Sequence, residues 1–456
     1  MTIAPDSPYL ADASGFSGSA AELFVPADEA AVAQLLKDAN TAGVPVTIAG
    51  AGSGVTGGRV PQGGWLISLE KLNSISVHSG YAVCGAGASL NDLMKATVAS
   101  KQFYAPDPTE WSASLGGTIA TNASGSRSFL YRDTRRHVRA IHVVLMSGER
   151  LVLRRGEPVP FPFDTVSAPG STKNTAGYYL RPGIDYLDLF IGAEGTLGVI
   201  TQCELTLLPT PSDLFTGVVF FPGDTVALDA VDTWRPVEGL RMLEYLDAAS
   251  LDLLRPRDKT IPQAARAAIL IEQATTAGGD EEDRWIERLE ASGALLEESW
   301  FATSARDRER FRAFRHSLPE VVNDLVRSRK LTKMGSDFAV PIEKNREMLA
   351  IYRETLEREF PGQYCIFGHI GDAHLHVNIL PADEAQWLRA KELMTELARQ
   401  AVALGGTVSA EHGLGKRKRH LLPLQFTPFE IEAMRAVKRR LDPKWLLGVG
   451  TLFDRK

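Results

Sequence analysis

Cysteine is scarce in this sequence: Cys84, Cys203 and Cys365 are the only three in 456 residues, and no two form a CxxC pair. That excludes a disulfide framework, an iron-sulfur cluster and a structural zinc ribbon, and it suits a reducing compartment. Long apolar runs are missing too, none approaching the roughly 18 residues of a membrane-spanning helix. The opening Met1-Thr2-Ile3-Ala4-Pro5-Asp6 has neither the basic start nor the apolar stretch of a secretory signal. Positive charge is not in excess, since 50 Lys and Arg against 56 Asp and Glu give a formal net charge of -6. A polyanion would need a local basic patch. The one short candidate is Lys416 to Arg419, a type of run that is ordinarily a solvated helix face. The expectation is a cytoplasmic protein that binds no nucleic acid, with peripheral membrane contact left open. Composition, 44% hydrophobic and 23% charged, is that of a soluble globular chain long enough for two or three domains.

Histidine, by contrast, is concentrated. Five of the nine fall between His369 and His420, in Gly368-His369-Ile370-Gly371-Asp372-Ala373-His374-Leu375-His376-Val377-Asn378 and in Ser409-Ala410-Glu411-His412-Gly413. If Ala373 to Leu380 is a strand, His374, His376 and Asn378 share one face while Leu375, Val377 and Ile379 face the core. His369 can fold back beside them across the Gly371-Asp372 turn. Two imidazoles with Glu411 make a nitrogen and oxygen site suited to Zn(II) or Mn(II). A single histidine on a strand is ordinarily structural; the pairing of His369 with His376 points to ligation.

Apolar spacing predicts a helix over Ala27 to Ala42 and a strand over Val44 to Ala49. Further strands are expected at Leu66 to Leu69, Ala82 to Cys84, Ile141 to Met146, Leu151 to Leu153 and Val199 to Leu208, and Pro209-Thr210-Pro211-Ser212 reads as a boundary. Beyond it, strand-like runs (Thr216 to Phe221, Ala268 to Glu272, Phe338 to Pro341, Tyr364 to Phe367) alternate with helices (Glu281 to Ala291, Glu343 to Phe360, Ala385 to Leu404). That order suits an α+β domain with helices on one sheet face. A basic helix is expected around Arg417 to Leu422, and Glu157 to Ser171 reads as a loop.

The strand ending at Ala49 opens into a loop with five glycines between Gly50 and Gly58. Gly52-Ser53-Gly54-Val55-Thr56-Gly57 matches GxGxxG, but Gly57-Gly58 and Pro61 follow, so no helix begins there as a Rossmann site requires. Successive inward N-H groups, with the Ser53 and Thr56 hydroxyls, can instead cradle phosphate; the alternative is a plain flexible turn. Similar small-residue segments follow: Cys84 to Gly87, Pro106-Asp107-Pro108 through Gly116-Gly117-Thr118-Ile119-Ala120-Thr121-Asn122-Ala123-Ser124-Gly125, and Gly192-Ala193-Glu194-Gly195-Thr196-Leu197-Gly198-Val199-Ile200-Thr201.

In that order these segments resemble the flavin-binding family of vanillyl-alcohol oxidase and p-cresol methylhydroxylase, over nearly the whole chain. The resemblance implies an α+β fold. It has a two-subdomain FAD-binding domain (1–208) of the p-cresol methylhydroxylase type and a ferredoxin-like antiparallel-sheet substrate or cap domain carrying a metal site (209–405). A C-terminal segment (406–456) returns to the FAD domain. It further implies FAD with its pyrophosphate on Gly50, Ala51, Gly52, Ser53, Gly54, Val55, Gly57 and Gly58. Gly116, Gly117, Asn122 and Gly125 would lie beside the flavin and Val199 and Ile200 at the adenine end, with Pro106, Asp107, Thr121, Glu194 and Gly198 completing the set. Pro45 to Pro61 contains no histidine, so the flavin is expected to be non-covalent. Ala49 stands where many relatives have arginine, leaving the phosphate charge to Arg59 or to backbone alone.

The histidine segments narrow the resemblance to the D-2-hydroxy-acid dehydrogenase branch, which includes D-lactate and D-2-hydroxyglutarate dehydrogenases and the flavin subunit of glycolate oxidase. Its His-x-Gly-Asp and x-x-Leu-His-x-Asn patterns are present as His369, Gly371, Asp372, Leu375, His376 and Asn378, and its Glu-His-Gly-x-Gly as Glu411 to Gly415. Carried over, His369, His376 and Glu411 are metal ligands, Asn378 and His412 contact substrate, and His412 is the base. Arg315 holds the substrate carboxylate, and Lys333 assists, although it stands four residues before Asp337, farther than in the hydroxyglutarate enzymes. Two positions depart from the pattern: His374, where many members have asparagine, and Gly448-Val449-Gly450 in place of Asn-Pro-Gly. The implied reaction is oxidation of a small 2-hydroxy acid to the 2-oxo acid. A homodimer is expected, with electrons leaving to a quinone, a cytochrome, an electron-transfer flavoprotein or oxygen. The alternative is a flavin subunit inactive without partner chains. Phenol oxidases and ether-lipid synthases of the same fold have no reason to keep His369, His376 and Glu411.

Overall fold

The computed structural model describes residues 3–4, 6–276 and 279–454. The first helix runs Glu29–Ala42, starting at Glu29 because the Asp28 side chain caps it by accepting from the Ala31 amide. It delivers the chain into Val46–Ala49, which pairs in parallel with Trp65–Ser68, itself parallel to Glu22–Phe24. Gly50 to Pro61 then runs without a helix, as its glycines and proline predict. A five-stranded antiparallel sheet follows in the spatial order Ile75–His78, Tyr81–Gly85, Val199–Thr206, Val138–Val144, Arg150–Arg154. The Gly116-Gly117 segment is the short helix Leu115–Ala120, not an open loop.

Residues 213–379 build a seven-stranded antiparallel sheet in the order Trp300–Phe301, Asp213–Phe221, Ala267–Thr275, Leu240–Asp247, Tyr364–His369, His374–Ile379, Met334–Gly335. This is the antiparallel sheet that the resemblance implied. Helices cover both of its faces, however, not one. Val219 and Phe221 pack with Trp234, Trp285 and Tyr352, while Val218 and Phe220 pack with Leu251, Phe314 and Leu318 from the helices Ala248–Leu254 and Ala305–Ser328. The unbroken apolar run Val218 to Phe221 is what a strand buried on both sides requires.

Two further expectations need correction. Phe338 to Pro341 is not a strand; its one ladder contact is the bridge between Ala339 and Thr407, because the chain here serves a loop, 410–412, through the Asp337 backbone and side chain. Nor is there a helix from Arg417 to Leu422. A single 3-10 turn, Arg419–Leu421, precedes Leu422–Gln425, since the Lys416 and Arg417 amides both donate to Thr56 O at 3.0 Å.

Ile366 and Val377 are fully buried cross-strand partners on the sheet face opposite the histidines. Ile366→Ala is expected to lower the unfolding free energy by about 2–5 kcal/mol, read as a lower urea midpoint with an unchanged slope.

Candidate active site

A cleft of about 350 Å³ is lined by Gly50, Ala51, Gly52, Ser53, Gly54, Val55, Gly58, Gly116, Gly117, Thr121, Glu194, Gly198, Val199, Ile200, Glu411 and His412, among others. Most of the residues expected to hold a cofactor are therefore brought to one surface, although they come from three distant segments. A Cβ on Gly54 or Gly58 would meet only Asp12 Oδ2 or Glu194 Oε2, each at 3.9 Å, so the cradle is open on that side. Asp12 also lines this wall, and its buried Oδ2 has no hydrogen-bond partner among the described residues, an acceptor that a ligand hydroxyl would satisfy. An extended molecule with phosphate and sugar groups fits these walls, as FAD requires.

Gly57, Pro106, Asp107, Asn122 and Gly125 do not line the cleft. Lys416 Nζ reaches Gly57 O at 3.4 Å and Gly58 O at 2.9 Å. Asp107 is paired with Arg127 at 3.2 Å, and a Cβ on Gly125 would overlap Asp107 O. Asn122 braces Asp133 and the Arg135 amide. Gly57, Asn122 and Gly125 thus brace the wall from behind, whereas Pro106 and Asp107 line a separate cavity beside Trp111 and Arg127. Arg59 does line the cleft, and its guanidinium donates to Gly50 O at 2.8 Å and Pro8 O at 2.9 Å, pinning the start of the loop.

Beside the cleft, the hairpin Tyr364–His369 and His374–Ile379 pairs His369 with His374 and Phe367 with His376. Cross-strand partners and alternate residues share a face, so three imidazoles project together. Their ring centroids lie 5.3 Å (His369 to His374), 4.4 Å (His374 to His376) and 5.4 Å (His369 to His376) apart. Gly368, at φ 134, permits this: a Cβ there would sit 2.8 Å from His376 Cδ2. One ligating atom from each histidine and from Glu411 all fall within 4.8 Å of one another.

Two rings have oxygen acceptors behind them: His369 Nδ1 is 2.5 Å from Glu244 Oε1, and His376 Nδ1 is 3.2 Å from Ser336 O. Protons on both Nδ1 atoms leave the Nε2 lone pairs free to ligate, the usual support for a metal-binding histidine. Burial pushes the His376 pKa well below the ordinary imidazole value, with the neighbouring imidazoles adding to the effect. At His369 burial acts in the same direction but Glu244 and Glu411 outweigh it, and the pKa rises. Burial would raise Glu411, yet His369 and Lys173 hold it well below the carboxylate range. Two oriented imidazoles and an ionised carboxylate fit a divalent cation such as Zn(II) or Mn(II).

Glu411 and His412 sit on a loop held by Asp337, whose side chain is completely buried. Its carboxylate accepts from Ser409 Oγ (2.7 Å), the Glu411 amide (3.2 Å) and the His412 amide (2.9 Å). Asp337 Oδ1 also lies 3.5 Å from His412 Nδ1. Burial opposes ionisation, but the His412 and His374 imidazoles and Lys418 outweigh it and keep Asp337 far below its usual range. A carboxylate beside Nδ1 favours the proton there and leaves Nε2 as the basic nitrogen of His412.

Other expected residues surround this centre. Arg315, on the helix Ala305–Ser328, donates through Nε to Glu244 Oε2 at 2.7 Å; its terminal nitrogens make no hydrogen bond among the described residues. Asn378 is buried opposite Gly335. Among the described residues no carboxylate lies within ion-pair distance of Lys333, and burial lowers its pKa. Lys173, Glu244 and Asp337 were not anticipated as site residues. Lys173 is buried and donates to Glu411 Oε1 at 2.6 Å, as does Ser124 Oγ. A charge inside the apolar run Met242-Leu243-Glu244-Tyr245-Leu246 was the readable signal for Glu244. Nothing local marks Lys173.

Two families match: "FAD binding domain" over residues 20–154 and "FAD linked oxidases, C-terminal domain" over residues 210–452. Similar curated proteins include a D-lactate dehydrogenase of Archaeoglobus fulgidus, 30% identical over 94% of this chain and 91% of that protein. The glycolate oxidase subunit GlcD of Bacillus subtilis is 29% identical over 90% and 84%. A D-2-hydroxyglutarate dehydrogenase of Xanthomonas citri is 29% identical over 94% and 88%. Among solved structures, an alkyldihydroxyacetonephosphate synthase matches with a TM-score of 0.68 at 19% identity, over 95% of this chain and 77% of that one, a likeness of fold.

Burial lowers the His412 pKa from 6.5 to about 4, only partly opposed by Asp337. In the metal-free protein the folded chain then refuses a proton that the unfolded chain accepts. This group's contribution to stability is complete above pH 6.5 and is lost as the pH falls towards about 4. An NMR titration of the His412 ring protons should show a midpoint well below 6.5; an ordinary midpoint would mean that water reaches the ring freely.

Proposed function

The chain belongs to the FAD-linked oxidase family and is an FAD-dependent oxidoreductase, and on that premise we propose that it oxidises a D-2-hydroxy acid of the D-lactate, glycolate or D-2-hydroxyglutarate class to the 2-oxo acid. The observation that carries the reading is an adjacency: Glu411 joins the histidine cluster, and both it and the next residue, His412, line the cofactor cleft. Cofactor wall and ligand cluster meet at one peptide. The names of the relatives support the substrate class.

Oxidising a 2-hydroxy acid removes a proton from the hydroxyl and a hydride from C2. Bound FAD supplies the hydride acceptor. A divalent cation held by His369, His376 and Glu411 would lower the hydroxyl pKa. His412, neutral near pH 7 and with Nε2 free, takes the hydroxyl proton. The terminal nitrogens of Arg315 pair with the substrate carboxylate in a forked contact, Asn378 contributes a further polar contact, and Lys333 offers an unpaired ammonium to an anionic substrate. Lys173 and Ser124 occupy Glu411 Oε1, which leaves Oε2 as the ligating oxygen.

The same reading assigns 1–208 and the returning segment 406–456 to the cofactor and 209–405 to the substrate. Electrons leave to an external quinone, cytochrome or electron-transfer flavoprotein. The flavin is non-covalent, so acid precipitation should release it into the supernatant. A second reading, a flavin subunit that needs partner chains, is favoured by the relative named as a glycolate oxidase subunit. Dye reduction by the isolated chain separates the two.

Anaerobic addition of D-lactate, L-lactate, glycolate or D-2-hydroxyglutarate should bleach the flavin absorbance for at least one D acid or glycolate, and a chelator should suppress it. Bleaching by L-lactate alone would overturn the stereochemistry, and full bleaching after exhaustive chelation would remove the metal. His412→Ala should keep its flavin yet lose substrate-driven bleaching by about 10²-fold or more; a normal rate would sink the base assignment.

A further inference from the structure

His374 is left without a role by everything above, and its surroundings are unusual. The ring is completely buried; Nε2 lies 3.2 Å from Asp337 Oδ1 outside hydrogen-bond geometry, and Nδ1 has no partner among the described residues. Leaving such a buried polar atom unsatisfied costs about 1–3 kcal/mol, so the side chain is built for a partner not supplied by the protein. Its position says which. His374 faces His369 across the hairpin and stands two residues before His376 on the same strand face. Its ligating atom is within 4.8 Å of those of His369, His376 and Glu411.

The three rings also share one pattern of support. An oxygen acceptor lies beside one nitrogen of each: Glu244 Oε1 for His369, Ser336 O for His376, and Asp337 Oδ1, 3.2 Å from Nε2, for His374. At His374 the angle is too poor for a hydrogen bond, but the carboxylate still favours the proton on that nitrogen and leaves a lone pair on the other. We propose that His374 is a fourth protein ligand, making a centre of three imidazoles and one carboxylate in place of two imidazoles and one carboxylate.

This rests on the metal part of the proposed function and deepens it. Ligand distances of about 2.1 Å place tetrahedral donors about 3.4 Å apart, so atoms that lie within 4.8 Å of one another need close by about 1.4 Å at most. A third imidazole moves the preference away from Mn(II), which suits carboxylate and water, towards Zn(II) and its imidazole-binding neighbours. It also takes one coordination position from solvent.

The test is a count of imidazoles. Pulsed EPR of the flavin-containing protein loaded with Cu(II) should show three coordinated imidazoles in the native chain and two in His374→Asn. The Zn(II) dissociation constant, measured by competition with a chromophoric chelator, should rise at least about 10-fold in that variant. His374→Gln gives a second removal of the ligand should the asparagine variant fail to fold. Two imidazoles in the native chain, or unchanged Zn(II) affinity in both variants, would overturn the proposal while leaving a three-ligand centre intact. Failure of the folded native chain to bind either ion would overturn it together with the metal part of the function.

Discussion

A single buried carboxylate organises the loop that carries Glu411 and His412. Asp337 lies at the exit of the sheet's edge strand, Met334–Gly335, and takes the amides of Glu411 and His412 and the hydroxyl of Ser409. Those donors belong to a loop that has no sheet or helix of its own to satisfy them. The dependence is mutual, because an ionised carboxylate buried without donors is too costly to persist. The same group lies beside the rings of His374 and His412. Backbone geometry of the loop and tautomers of two histidines are therefore set by one side chain.

Around it, charge alternates through the interior. Arg315 pairs with Glu244, Glu244 with His369, His369 with Glu411, Glu411 with Lys173, and Lys173 with Asp372. Removing one partner from a buried pair typically costs about 3–5 kcal/mol, so no member of this chain is free to drift. Burial acts against the charges of Arg315, Glu244, His369, Glu411 and Lys173, and at each of these five the neighbours win: Glu244 is held down to about 2 by Arg315 and His369, and Lys173 is raised by Glu411 and Asp372. The outcome is a fixed spacing between the His369 ring and the Glu411 carboxylate.

Much of this was legible in the residues. The glycine loop, the alternation of His374, His376 and Asn378, and the fold-back of His369 follow from backbone rules that operate over a few residues. What escaped were partners brought in from afar. Lys173 meets Glu411 across 238 positions of sequence, and no local pattern encodes that encounter. Asp337 was visible only as the start of Asp-Phe-Ala-Val-Pro, because its work is to bind amides that any residue carries. The Phe338 to Pro341 strand failed for the same reason: β-propensity was overridden by a loop that needed those groups. The second helical layer over the seven-stranded sheet was written in Val218 to Phe221, which shows no alternation because neither face meets water.

The glycine cradle and the loop that follows His412 are fastened directly to each other. Thr56 O accepts from the Lys416 and Arg417 amides, Lys416 Nζ reaches the carbonyls of Gly57 and Gly58, and Glu194 takes the amides of Leu414 and Gly415. Residues more than 350 positions apart in the chain thus make a single seam. Although the sequence divides into two recognisable family regions, the molecule is not modular at this place: the Lys416 ammonium of one segment and the Glu194 carboxylate of another are satisfied by groups across the seam. Change in such a protein is therefore constrained on both sides, because loss of Glu194 or Lys416 would leave backbone groups of the other segment without that partner.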